Sequence, residues 1–125
     1  MVLVDTSVWI RFLANRSPYA TTLVALLDRD EVAGHELVYG ELLIGDRAGR
    51  AKLLGAYEKI RHASMLPHSD VVAFVRSRAL SGRGMGWIDV HLLASAIVEQ
   101  LPLWTADSRL FAVAKELGVA YEKAS

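Results

Sequence analysis

Four acidic residues stand where the surrounding pattern should place another type of residue. They are Asp5, Glu41, Asp89 and Asp107. A carboxylate removed from water is costly unless a cation compensates it, because it otherwise takes up a proton. All four side chains offer oxygen ligands, and the chain has no cysteine to bind a softer metal. The expected ion is therefore Mg²⁺ or Mn²⁺ rather than structural zinc, and the expected chemistry is hydrolysis.

Asp5 and Asp107 each follow a short apolar run that is typical of a buried strand. Asp5 ends the run that begins at Val2, and Asp107 comes two residues after a run over 101–105. Sites in parallel sheets lie at the carboxyl ends of the strands, so the two carboxylates are expected to converge there. Asp107 is also well placed to cap a helix that begins near Ser108.

Glu41 and Asp89 are predicted to lie on helices. Glu41 shares one helical face with Leu37 and Ile44, so we expect its carboxylate to interrupt an apolar stripe and point inward. Asp89 begins a helix whose i+4 position is Leu93, and the helix N-terminus favours its negative charge. The alternatives are an exposed Glu41, if the helix phase is shifted, and an Asp89 that serves the helix dipole alone.

Composition favours one domain over residues 1–125, because 53% of the residues are hydrophobic and the length suits a single core. No apolar stretch is long enough to cross a bilayer, and the N-terminus lacks a secretory signal pattern. We therefore expect a cytoplasmic protein without a membrane partner. The formal charge is zero, but ten acidic residues remain against fourteen basic ones if a metal neutralises the four candidates. That excess of four permits contact with phosphates.

Strand-like and helix-like segments alternate along the chain, which predicts an α/β fold with a central parallel sheet of about five strands flanked by helices. The strands are expected at 2–5, 32–33, 63–66, 101–105 and 119–121. The helices are expected at about 7–14, from 18, around Glu41, at 47–61 and 68–80, from Asp89, and at 108–117. The two helices between 37 and 60 should form a hairpin. The glycine-rich segment 82–86 lacks the lysine-serine pair of a P-loop, which excludes that phosphate site.

The acidic positions and their neighbours resemble the PIN-domain ribonucleases, and specifically the VapC toxins of toxin–antitoxin pairs. The resemblance lies in four segments taken in order: Val-Leu-Val-Asp5-Thr6-Ser7-Val-Trp-Ile, Gly40-Glu41-Leu42-Leu43-Ile44-Gly45, Gly86-Trp87-Ile88-Asp89-Val90-His91-Leu92-Leu93-Ala94, and Leu103-Trp104-Thr105-Ala106-Asp107. Each segment alone is a weak signal. Four of them in the right order and spacing are specific.

The resemblance implies a PIN-like α/β sandwich and Mg²⁺- or Mn²⁺-dependent endonucleolytic cleavage of RNA, with tRNA or rRNA as the substrate. Asp5 and Asp89 would be the principal metal ligands, and Glu41 and Asp107 would act directly or through water. The hydroxyls of Thr6, Ser7 and Thr105 would support these ligands. Those of Thr6 and Ser7 could equally serve as ordinary turn and cap groups. The resemblance also implies a VapB-like antitoxin as partner, and a homodimer.

Two other functions compete with the nuclease. A Mg²⁺-dependent phosphatase of the haloacid-dehalogenase type also places an aspartate at the first strand end, but it needs a second aspartate where this chain has Ser7. A PIN-like module that binds RNA or antitoxin without catalysis would not need all four acids. His91 could be a general base, although its position two residues after Asp89 favours a surface or capping role.

Overall fold

The computed structural model describes residues 1–47 and 49–122. The described chain contains three strands, β1 (Val2–Val4), β2 (Val32–Ala33) and β3 (Leu103–Trp104). Its helices are α1 (Thr6–Leu13), α2 (Tyr19–Asp28), α3 (Glu36–Ile44), α4 (Ala51–Lys59), α5 (His68–Ser77), α6 (Trp87–Glu99) and α7 (Ser108–Glu116). Within these residues, no helix has both the length and the apolar character needed to span a membrane.

The three strands form a parallel sheet in the order β2-β1-β3, as the alternation of strands and helices predicts. The paired residues are Val2 with Val32, Leu3 with Ala33, Leu3 with Leu103, and Val4 with Trp104. All three strands are buried, which explains why they are continuous apolar runs rather than alternating ones. The central position of β1 places Asp5 in the middle of the sheet edge.

The prediction of about five strands was wrong for the described residues, which contain three. In place of the other two strands there are single parallel bridges at the two sheet edges, at His62 with Gly34, one residue before the predicted 63–66, and at Ala120 with Leu103, within the predicted 119–121. Two backbone hydrogen bonds surround each bridge, and the chain then leaves the sheet. A propensity pattern identifies a segment that can pair but does not fix how many residues of it do.

Helices pack around the sheet and bury a single connected core. The predicted hairpin is present, because α3 contacts α4, and α5 contacts α6 in the same way. Trp9 of α1 fills the space between helices and meets Phe12 and Tyr57 edge to face. This packing fixes α1 against α4, so the residues that follow β1 are held in defined positions.

Candidate active site

Asp5 lies directly after β1 and is 4% exposed. Its backbone N–H donates to the Trp104 carbonyl, and its own carbonyl accepts the first backbone bonds of α1. Ser7 Oγ donates to Asp5 Oδ2 at 2.6 Å, and Thr105 Oγ1 donates to the same oxygen at 2.8 Å. Two hydroxyl donors on Oδ2 hold the carboxylate in one orientation and leave Oδ1 for another ligand.

The same hydroxyls join the ends of β1 and β3. Ser7 Oγ accepts from the Ala106 backbone N–H at 2.9 Å, and Thr105 Oγ1 accepts from the Asp107 N–H at 3.0 Å. Ser7 therefore does not cap α1, which begins at Thr6 with Asp5 in the N-cap position. These contacts orient the Asp5 carboxylate and fix the backbone that leads into Asp107, whereas the support of a metal ligand by Ser7 and Thr105 stays a prediction.

Glu41 lies on the exposed side of α3, so the expectation that it points inward was wrong. Val38 and Leu42 form the buried face, and Ile44 is 90% exposed. Because α3 is apolar on nearly all sides, its sequence pattern does not define the helix phase. Glu41 nevertheless reaches the site, since Thr6 Oγ1 donates to Glu41 Oε1 at 2.6 Å.

Asp89 lies in the first turn of α6 and is half-buried. Its Oδ2 accepts from the Gly86 backbone N–H at 3.0 Å, so it caps the helix as well as facing the site. Burial raises the pKa of the Asp89 carboxyl above its ordinary value, and the charges of Asp5, Asp107 and Glu41 raise it further, while the bond from Gly86 opposes them. All three other candidates thus act electrostatically on Asp89.

Asp107 is the N-cap of α7, which confirms the capping alternative. Its Oδ1 accepts from the backbone N–H groups of Arg109 and Leu110 at 2.9 and 3.0 Å. Both bonds use the same oxygen, so Oδ2 does not take part in the cap. Asp107 is exposed, and capping fixes its position without occupying all of its acceptor capacity.

The four carboxylates approach one another without forming a closed metal cage. Among residues 1–47 and 49–122, no three His, Asp or Glu side chains stand close enough together to hold an ion by themselves. The donor set is made of hard oxygen ligands, which fits a divalent ion that keeps several waters in its shell. Burial first, and the charges of the other three carboxylates next, raise the pKa of Asp89, and a bound cation would offset both effects.

Sequence reasoning missed the contacts that tie the glycine-rich segment to α7. Arg83 Nη2 pairs with Glu116 Oε2 at 2.6 Å, and Arg109 Nη1 meets the Gly84 carbonyl at 3.5 Å. Gly84 has a φ of +82°, and a Cβ there would lie 2.9 Å from Arg109 Cδ. The positive φ and the short distance to Arg109 both require glycine at this position. Arg109 is in turn held next to Asp107.

Two histidines were also placed incorrectly or overlooked. His91 is buried at 4% exposure rather than on the surface, and within the described structure its Nδ1 has no hydrogen-bond partner. His35 is fully buried and caps α3, because its Nδ1 accepts from the Leu37 N–H. A histidine directly before a predicted helix was the available signal for that cap.

Comparison with known proteins agrees with this architecture. The PIN domain family model matches residues 2–116. A ribonuclease named VapC32 from Mycobacterium tuberculosis, found in strains CDC 1551 and H37Rv, is 41% identical over 121 residues, which are 96% of this chain and 95% of the relative. Since both matches cover nearly the whole chain, it belongs to the PIN-domain family, among the VapC ribonucleases that are the toxins of toxin–antitoxin systems.

Proposed function

We propose that this single domain cleaves RNA internally with Mg²⁺ or Mn²⁺ held by Asp5 and Asp89, and with Glu41 and Asp107 acting directly or through water. The burial and the hydrogen bonds of Asp5 support this proposal most. It is buried at the end of the central strand, and two hydroxyls orient one of its oxygens while the other is left for a ligand. Ribonucleases of this family are in general metal-dependent.

When bound, the ion would supply a water of lowered pKa and would stabilise charge on the departing oxygen. The remaining work falls to the chain's own side chains. Ser7 and Thr105 orient Asp5, and Thr6 orients Glu41. The Gly86 N–H fixes Asp89. Each ligand is thus held before RNA arrives, which lowers the reorganisation needed at the reacting phosphate.

Arginines around the site support RNA as the substrate. The exposed arginines include Arg47, Arg50, Arg76, Arg78, Arg83 and Arg109, and Arg11 is half-buried. Arg50 lines a cavity together with Glu41. Guanidinium groups bind phosphates well, so Arg50, which shares a cavity with Glu41, and Arg109, which lies next to Asp107, would hold the RNA backbone near the carboxylates. The substrate would be tRNA or rRNA, which places the reaction in the cytoplasm.

A groove between α1 and the α3–α4 hairpin supports the antitoxin as partner. It has a volume of about 230 Å³ and is lined by Ile10, Leu13, Leu42 and Arg50, among others, with Glu41 at its rim. Ile10 is 56% exposed and contributes an apolar side chain to this groove. An apolar helix of a VapB-like antitoxin would fit this groove and restrict access to the carboxylates. The expected homodimer remains a prediction, which sedimentation analysis would test.

Cleavage of total tRNA and rRNA tests the proposal. Purified antitoxin-free protein should give discrete fragments with Mg²⁺ or Mn²⁺, and chelator or Asp5→Asn should abolish them. Asp70→Asn, which removes an exposed first-turn aspartate from α5, is the matched control and should cleave normally. RNA that binds to a folded protein but stays intact would favour the binding module, and release of phosphate from a phosphomonoester would favour the phosphatase.

A further inference from the structure

We propose that Trp87 is a stacking platform for one unpaired base of the RNA, next to the nucleotide whose phosphate is cleaved. The inference rests on the proposed function, and it assigns a substrate-binding role to a residue outside the four carboxylates. Trp87 is the first residue of α6 and is 43% exposed. The other two tryptophans, Trp9 and Trp104, are 2% and 9% exposed.

Two imidazoles hold the indole in place while much of it remains open to solvent. The His91 ring is nearly perpendicular to it, at 87° and with the ring centroids 5.3 Å apart. The His68 ring, from the start of α5, lies 5.2 Å away and is tilted by 50°. An exposed aromatic side chain that is already ordered loses little conformational entropy on binding, which suits it to receive a planar base.

The surroundings of Trp87 have room for a base. A shallow cavity of about 140 Å³ lies beside it, lined by Val75 and Leu80 on the α5 side, by Met85 and Gly86 from the preceding loop, and by Val90. Its apolar walls suit the face of a base better than a phosphate. Every base has an aromatic face, so stacking at this position does not require a particular sequence.

The position of Trp87 relative to Asp89 determines which nucleotide it contacts. Residues two apart in an α-helix have Cα atoms about 5.4 Å apart but point to roughly opposite sides, because each residue turns the helix by about 100°. Trp87 therefore lies on the flank of the site toward α5, while Asp89 faces the other carboxylates. The stacked base would belong to a neighbour of the cleaved phosphate.

Charge on the adjacent loop favours RNA over an apolar protein surface as the occupant. Arg109 lies across Gly84, three residues before Trp87, and Arg83 is on the same loop. Arg76 and Arg78, at the end of α5, are exposed. Arg83 is already paired with Glu116, so a polyanion with unpaired bases would pair its phosphates with Arg109, Arg76 and Arg78 and its base with the indole.

The test uses binding rather than cleavage, in an Asp5→Asn background that keeps the RNA intact. The probe is a single-stranded RNA of mixed sequence, about twelve nucleotides long, together with versions that lack one base at a time. Trp87→Ala should weaken binding about 5- to 150-fold, and Trp87→Phe should retain most of the affinity. Val98→Ala removes an exposed apolar side chain from the far end of α6 and should leave the affinity unchanged.

Two readouts separate stacking from a structural role. RNA should quench the tryptophan fluorescence of the Asp5→Asn protein, and Trp87→Phe should remove that quenching. For one particular base, its removal from the RNA should weaken binding to the protein that has Trp87. The same removal should not weaken binding to Trp87→Ala, as expected if that base and the indole contact each other. Quenching that persists in Trp87→Phe, or base removals that act equally on both proteins, would overturn the proposal while RNA cleavage still stood. A protein that neither binds nor cleaves RNA would overturn both.

Discussion

At the scale of single residues, the two oxygens of Asp5 have different roles. Oδ2 accepts from Ser7 and Thr105, and Oδ1 is left for a ligand. The sequence pattern indicated the aspartate because it ends a buried strand. It could not indicate how the two hydroxyls divide their bonds, because Ser7 and Thr105 are nearly a hundred residues apart in the chain.

Replacement of Thr105 by valine tests that arrangement. The change keeps the shape of the side chain but removes one of the two donors to Asp5 Oδ2. We expect metal affinity to fall about 10- to 100-fold, which is typical of the loss of a contact that orients a ligand. A calorimetric titration with Mn²⁺ measures this affinity. Thr21→Val on the exposed side of α2 is the control, and equal affinities for the two variants would contradict the role of Thr105.

Asp89 should make the metal-free protein less stable at neutral pH. Burial and neighbouring carboxylates raise its pKa, so its charged form is disfavoured by folding. Asp89→Asn should therefore raise the midpoint of thermal unfolding without metal, and Asn Oδ1 can still accept from Gly86. The gain should shrink as pH falls through the raised pKa, because the wild-type carboxyl is then neutral.

The control for that measurement is Asp70→Asn, since Asp70 also lies in a first helical turn but is exposed. It should lose a few tenths of a kcal/mol through the helix dipole rather than gain stability. Metal should reverse the order for Asp89→Asn, which lacks one of the proposed metal ligands. A lower midpoint for metal-free Asp89→Asn at pH 7 would contradict the electrostatic account.

At the scale of elements, α3 shows how one buried side chain can hold several segments together. His35 Nδ1 accepts from the Leu37 N–H, so Nε2 carries the proton and donates to Ser95 Oγ at 3.1 Å. Ser95 Oγ in turn donates to the Ser64 carbonyl. The cap of α3 is thereby connected to α6, and α3 carries Glu41 to the site.

His35 should make stability depend on pH between its unfolded and folded pKa values. Burial, together with the charges of His91 and His62, lowers the pKa of His35 from 6.5 to about 4. The unfolded chain binds the proton first, so stability is full above 6.5 and is lost as pH falls toward 4. His35→Asn keeps a capping side chain but cannot titrate.

Urea unfolding of both proteins across this range measures the effect. His35→Asn should be less stable by about 1–3 kcal/mol at pH 7, because the bond to Ser95 is lost. Its stability should then decrease less steeply as pH falls, with a residual slope from His91, whose pKa burial also lowers. Curves that stay parallel would show that His35 is not the titrating group.

At the scale of the whole molecule, the sheet brings together residues that are distant in sequence. β1 lies between β2 and β3, so the turn after β1 meets the turn after β3. Helices α1, α3 and α6 then surround that edge with Glu41 and Asp89. The groove between α1 and the α3–α4 hairpin opens beside the same edge, which is why a partner bound there could control access to the site.

Ile10→Asp tests whether that groove binds the antitoxin. A charge in the groove should weaken binding of the cognate antitoxin fivefold or more. This corresponds to a loss of about 1 kcal/mol of binding free energy, as expected for a residue that contributes to an interface. RNA cleavage by the free toxin should continue. Titration of cleavage with antitoxin measures both effects, and Val98→Asp, at an exposed position near the end of α6, is the control. Equal inhibition of both variants would place the antitoxin elsewhere.

The sequence by itself determined the parallel α/β architecture, the helical hairpin and the placement of Asp5 and Asp107 after strands. These features follow from local patterns, because a buried parallel strand is a short apolar run and the residue after it lies at the sheet edge. Asp89 was found for the same kind of reason, as an acid in the first turn of a strongly apolar helix. Comparison with known proteins then confirmed the family.

Only the tertiary structure decided the number of strands, the exposed face of Glu41, the burial of His91 and the double contact on Asp5. A segment such as 63–66 can pair, but the surrounding packing leaves only a single bridge, at His62 just before it. The phase of α3 is ambiguous because apolar residues surround it, and packing of Val38 and Leu42 settles it. Local sequence patterns reveal hydrophobic periodicity and secondary-structure propensity, whereas side-chain contacts between distant segments depend on how the whole core packs.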